Sequence, residues 1–144
     1  MSADSGSSLF FVDSNVWLYI FLPGQDIAKG KIAKQLVRQN GAGIVISTQV
    51  VNEVVQGILR HGAMNEPEIR TLIGRFYSRY SVRQLDEGIQ LKASHLREMY
   101  SLSHWDSLIV GSALAIGATI LYSEDMQDHL VVEGTLTIIN PFLQ

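Results

Sequence analysis

The sequence predicts an α/β fold, a three-layer sandwich in which a mainly parallel central sheet of about four to five strands is flanked by helices. Short apolar runs rich in β-branched residues recur along the chain, and stretches of helical periodicity separate them. Strands joined through helices imply right-handed crossovers, which place helices over both faces of a parallel sheet. No repeat, low-complexity tract or linker interrupts the pattern, so residues 1–144 read as one domain, with 1–8 a flexible polar tail.

The elements follow in order. Residues 9–12 (LFFV) form a first strand by length and apolar character. Residues 27–39 form a helix with Ile32, Ala33, Leu36 and Val37 inward and Lys31, Lys34 and Arg38 on a solvated face. After the loop signal Asn40-Gly41, residues 43–46 give a second strand. Residues 48–60 are helical through Val51, Val54, Val55 and Ile58. The next helix, 66–80, carries its own start signal: Asn65 as N-cap, Glu68 three residues on, and Pro67 in the first turn. Residues 81–85 form a short third strand and 86–100 a further helix using Ile89, Ala93, Leu96 and Tyr100. Ser103 caps a helix to about 116, where Gly117 stops it, and strands follow at 119–122 and 137–140.

Composition narrows the class. Hydrophobic residues make up 47% and charged ones 17%, as in a compact globular domain. With no cysteine, disulfides and thiolate metal sites are excluded, and a reducing cytoplasm is the simplest compartment. The N-terminus lacks the basic and apolar regions of a secretory signal. Residues 107–122 carry no charge, but they contain Ser and Gly and fall short of the roughly 20 apolar residues of a membrane span. A buried helix and strand explain them. A net charge of −3 counts against a broad nonspecific nucleic-acid surface, though not against a nucleic-acid enzyme whose positive charge comes from metal.

The acids carry the chemistry. Asp13 ends the first strand, Glu53 sits in a helix poor in charge, Asp106 opens another helix, and Asp125 follows a late strand. Taken singly, each has a structural explanation: Asp13 as a turn or cap, Asp106 as a helix-dipole acid, Glu53 as a solvated flank, and Asp125 in a polar turn that opens a helix. Taken together, all four can face the carboxyl rim of a parallel sheet, where ligands of such folds bind. Converging carboxylates repel unless a cation neutralises them. An all-oxygen set suits Mg²⁺ or Mn²⁺, and an acidic metal pocket suits phosphoryl chemistry.

The four segments FFVDSNVW, VVNEVVQG, HWDSLIVGSA and LYSEDMQD, in this order, resemble the PIN domain ribonucleases, and among them the VapC-type toxins of toxin–antitoxin pairs. The likeness runs from about Leu9 to Phe142. It implies metal-dependent RNA phosphodiester hydrolysis, with Asp13, Glu53, Asp106 and Asp125 as catalytic and metal-binding acids and Mg²⁺, or Mn²⁺ in its place, as cofactor. By the same resemblance Asn15 and Ser123 are accessory polar residues and Asp128 an accessory acid. Family members often carry Gly after that last position, where this chain has His129. The resemblance further implies an RNA substrate, a homodimer, and an antitoxin whose helix lies in an apolar groove near the acids. Phe76, Tyr77 and Tyr80, beside helices 48–60 and 66–80, are candidates to line it. Beside Asp106, His104 is placed to touch RNA and Trp105 reads as core; His61 and His95 read as surface. Two alternatives stand: a receiver-like phosphoacceptor, disfavoured because no lysine follows strand 119–122, and a degenerate PIN-like module that binds RNA or protein without cutting.

Overall fold

The structure is a computed structural model that describes residues 8–143; the tail expected over 1–8 lies almost wholly outside the described residues. Six strands form one sheet in the order β3-β2-β1-β4-β6-β5, one or two more than expected. The strands are β1 (Phe10–Val12), β2 (Ile44–Ser47), β3 (Ser81–Arg83), β4 (Ile120–Tyr122), β5 (Val131–Val132) and β6 (Leu136–Ile139). All neighbouring pairs are parallel except β5–β6, an antiparallel edge hairpin. That hairpin's first strand is two residues long, too short to leave a period-2 pattern.

Among the described residues, six helices connect the strands. α1 (Ser14–Phe21) and α2 (Ile27–Asn40) lie between β1 and β2, followed by a 3₁₀ turn at Gly41–Gly43; α3 (Thr48–His61) and α4 (Glu66–Arg79) lie between β2 and β3. α5 (Glu87–Met99) and α6 (His104–Ala115) carry the chain from β3 across to β4. The first two connections step outward from β1, whereas the third reverses past it. With right-handed crossovers, that reversal puts α5 and α6 on the opposite face from the others. α1 packs on α2 and α3, and α5 on α6.

Local signals account for the helix ends. Asn65 and Glu68 form the reciprocal capping box at α4, with bonds of 2.9 and 3.0 Å. Asp26, Ser47, Asp86 and Ser103 each accept a backbone N–H at the start of α2, α3, α5 and α6. Gly117, at φ +82°, ends the α6 segment where only glycine is unstrained. The charge-free stretch is a buried helix and strand: Ser107–Ala113 is buried throughout, and Leu121 is fully enclosed.

Four expectations are corrected. α1 was not foreseen as a helix. Ile32 is 39% exposed rather than inward, because the buried stripe of α2 runs through Gly30, Ala33 and Leu36. Trp105 is 60% exposed rather than core: it lies in the first turn of α6, beyond the helices that cover Ser107 onward. No helix follows β4, and residues 123–130 form a turn-rich loop.

Candidate active site at the carboxyl edge of the sheet

The chain starts at β1, builds outward to β3, and returns to β4 on the other side of β1. β1 and β4 are therefore the point where the direction of winding reverses, and a crevice opens beyond their carboxyl ends. Asp13 stands directly after β1 and Ser123 directly after β4. Ser123 Oγ donates to Asp13 Oδ2 at 2.9 Å, so the two strand ends are joined across the crevice. Asp13 is only 4% exposed; its Oδ1 accepts the Ser14 backbone N–H at 2.7 Å, which also caps α1. Asn15 completes the brace. Its Nδ2 lies 3.4 Å from both Asp13 Oδ2 and Ser123 Oγ, and its Oδ1 accepts the Glu124 backbone N–H at 3.2 Å.

Glu53 reaches the same place from α3. Ser14 Oγ donates to Glu53 Oε1 at 2.8 Å, and Gln49, one turn earlier, donates from Nε2 to Glu53 Oε2 at 3.3 Å. Asp106, third residue of α6, comes from the opposite layer and is half-buried. Asp125 sits on the loop after β4, its N–H donating to Ser123 Oγ at 3.3 Å.

The electrostatics show that these groups share one neighbourhood. Burial pushes the Asp13 carboxyl up to about 7, against hydrogen bonds from Ser123 and Ser14 that lower it; the charges of Glu53 and Asp106 raise it further. Asp106 is also raised, first by burial, then by the charges of Asp125 and Glu53. Four acids from four separate elements thus feel one another. Their donor chemistry, all oxygen, fits a hard divalent cation. Hydrogen bonds orient the carboxylates of Asp13 and Glu53, and among the described residues no three acids or histidines close into a ready-made ion cage.

Asp128 is differently engaged. Its Oδ1 accepts the Asn140 backbone N–H at 2.7 Å, its Oδ2 pairs with the His129 ring at 2.8 Å, and these bonds hold its carboxyl below the usual range. His129 adopts φ +66°, the left-handed backbone that explains why glycine suits this position.

Sequence reasoning missed Ser14, Gln49 and a cluster around Glu124. Gln49 was findable, being one helical turn before Glu53. Tyr19 donates to Glu124 Oε1 at 2.7 Å, and Lys29 pairs with Glu124 while lying over the Tyr19 and Phe142 rings. Nothing in the local pattern joins residues so far apart.

The PIN domain family model matches residues 10–130. This chain belongs to the PIN domain family. Solved structures agree on its fold. A toxin–antitoxin complex from Klebsiella pneumoniae superposes with a TM-score of 0.70 at 19% identity, covering 93% of this chain and 98% of that one. VapC20 of Mycobacterium tuberculosis, a sarcin–ricin-loop-cleaving toxin, gives 0.66 at 18%, covering 81% and 89%. VapBC2 of Rickettsia felis, bound to promoter DNA, gives 0.61 at 17%, covering 92% and 99%. No curated protein sequence matches the chain. In this PIN domain, among the described residues, no helix is long and apolar enough to cross a membrane.

Proposed function

We propose that this PIN domain is a divalent-metal-dependent endoribonuclease and the toxin of a toxin–antitoxin pair. The observation that carries the reading is Asp13: a carboxyl held near pKa 7 by burial, in the field of Glu53 and Asp106, with Asp125 acting on Asp106. Structural neighbours include a toxin–antitoxin complex and a VapBC assembly, and one is described as a toxin that cleaves the sarcin–ricin loop.

Asp13, Asp106, Glu53 and Asp125 would hold Mg²⁺, or Mn²⁺ in its place; when bound, such an ion acidifies water and neutralises charge developing on a phosphate. The protein's own contribution is orientation. Ser123, Asn15 and the Ser14 N–H fix the Asp13 carboxylate, and Ser14 Oγ and Gln49 fix that of Glu53. Loading the site would displace the proton that burial favours on Asp13. The acids also repel the RNA backbone from the unloaded site, which makes cutting depend on the cation.

The partner groove keeps Phe76 and Tyr80 of the expected lining but opens against α1 and α2 and leaves Tyr77 out. A cavity of about 300 Å³ lies between α1, α2 and α4, floored by Trp17, Phe21, Leu72 and Phe76 and edged by Tyr80. Tyr77 is exposed outside it. Lys34, Arg38, Arg75 and Arg79 rim the cavity, so an antitoxin helix with apolar anchors and acidic flanks would suit it. The toxin would act in the cytoplasm as a homodimer, burying exposed apolar side chains such as Leu91 and Met99 on α5.

A non-cleaving PIN-like module is the second reading, and the presence of all four acids argues against it. Cleavage of RNA with added Mg²⁺ or Mn²⁺ separates the two. The nuclease reading expects cutting that chelation stops and that Asp106→Asn lowers by roughly a hundredfold or more. Full activity in Asp106→Asn would remove the acid set from the mechanism.

A further inference from the structure

A second cavity, of about 570 Å³, adjoins Glu53 and lies between α3, the residues after β3 and the first turn of α6. Its walls are unlike the acid site. Gln49, Asn52 and Gln56 present three uncharged amides from one face of α3, and Leu85 and Trp105 supply apolar surface. Trp105 is the residue before Asp106, is 60% exposed, and packs edge-on to His104 at 4.8 Å between ring centroids. An indole held by a neighbouring ring, with most of its surface open, is a platform for a flat ligand.

Gln49 gives a second, independent sign. It is 6% exposed, and its Nε2 donates to two acceptors, Glu53 Oε2 and the Trp105 carbonyl oxygen, each at 3.3 Å. Two acceptors fix which end of the amide is nitrogen. The remaining Oε1 is buried and has no hydrogen-bond donor. The wall therefore holds an acceptor in want of an N–H. No cation lines the cavity and Glu53 borders it, so a phosphate is unwelcome there.

We propose that this cavity is a subsite for one unpaired nucleobase of the RNA, stacked on Trp105 and read at its edge by the amides of Gln49, Asn52 and Gln56. The unpartnered acceptor takes an N–H from the base edge, the exocyclic amino group of adenine, cytosine or guanine or the N3–H of uracil, so it calls for a base and not for one particular base. The inference rests on the nuclease reading for its substrate class. It deepens that reading by placing a base-binding element one residue from Asp106 and directly against Glu53.

The test is binding of short oligo(A), oligo(C) and oligo(U) to the full chain in EDTA, followed by tryptophan fluorescence. Trp17 is buried and bonded to the Val12 carbonyl, so a change in emission reports Trp105. All three oligomers should quench, and an abasic oligomer of the same length should not. Trp105→Ala, at an exposed position, should leave the melting temperature unchanged yet weaken binding roughly tenfold or more, while Trp105→Phe retains most of it. Asn52→Ala and Gln49→Met should each weaken binding of all three oligomers severalfold. Quenching that requires bases, in a chain that cuts no RNA, would support the subsite while sinking the nuclease. Metal-dependent cutting with Trp105 emission unmoved by any oligomer, or with equal binding by Trp105→Ala, would overturn the subsite alone.

Discussion

Asp13 serves the fold and the site with the same carboxylate, capping α1 through one oxygen and meeting Ser123 across the crevice through the other. The two duties conflict electrostatically. With its pKa raised from 3.8 to about 7, the native state holds this proton more tightly than the unfolded chain does. Between about pH 4 and 7 the unfolded state has released it and the native state has not, so stability falls as pH rises through that window. Asp13→Asn, which is isosteric and neutral, should therefore stabilise the metal-free protein above pH 7 by on the order of a few kcal/mol, the gain shrinking towards pH 4. Denaturant melts at pH 5 and pH 8 check this; a loss of stability at pH 8 would mean that Asp13 is not buried as an uncompensated charge. The position of Asp13 at a strand end was legible in the sequence, but its burial was not. Burial depends on α1 folding over it and on Ser123 arriving from the other side of the sheet. Trp105 failed in the opposite direction, since an apolar side chain at a helix start looks the same whether neighbours cover it or not.

Helices with a complete local code were readable, and those without it were not. α4 announced itself through Asn65, Pro67 and Glu68, and its capping box is present. α1 spans eight residues and follows β1 after one capping residue, so the apolar character of the strand runs on into the helix and hides the change of period. The face of α2 was misjudged at Ile32 because periodicity marks the centre of a buried stripe, not its width. Because α4 is remote from the acids, its cap separates stability from function. Asn65→Ala should cost about 1 kcal/mol, lowering the melting temperature by about 2–4 °C. Metal binding and RNA cleavage below the transition should not change. A drop in metal affinity in that variant would show that α4 and the crevice are coupled.

At the scale of the whole molecule, the winding decides everything about the site. Glu53 and Asp106 belong to helices on opposite faces of the sheet, and only the reversal at β1 and β4 lets both lean over one crevice with Asp13 and Asp125. The order of the acids in the chain could be read directly, whereas the hydrogen bonds that orient Asp13 and Glu53 emerge only when three connections have brought the strand ends together. A chain of net charge −3 that gathers four carboxylates at one edge has a strong electrostatic reason to bind a divalent ion. Calorimetric titration of the full chain with Mn²⁺ at pH 7, in two buffers of different ionisation enthalpy, tests that claim most directly. The expected result is saturable binding that releases protons, abolished or greatly weakened in Asp13→Asn. No binding, or equal binding and equal proton release in the variant, would contradict it.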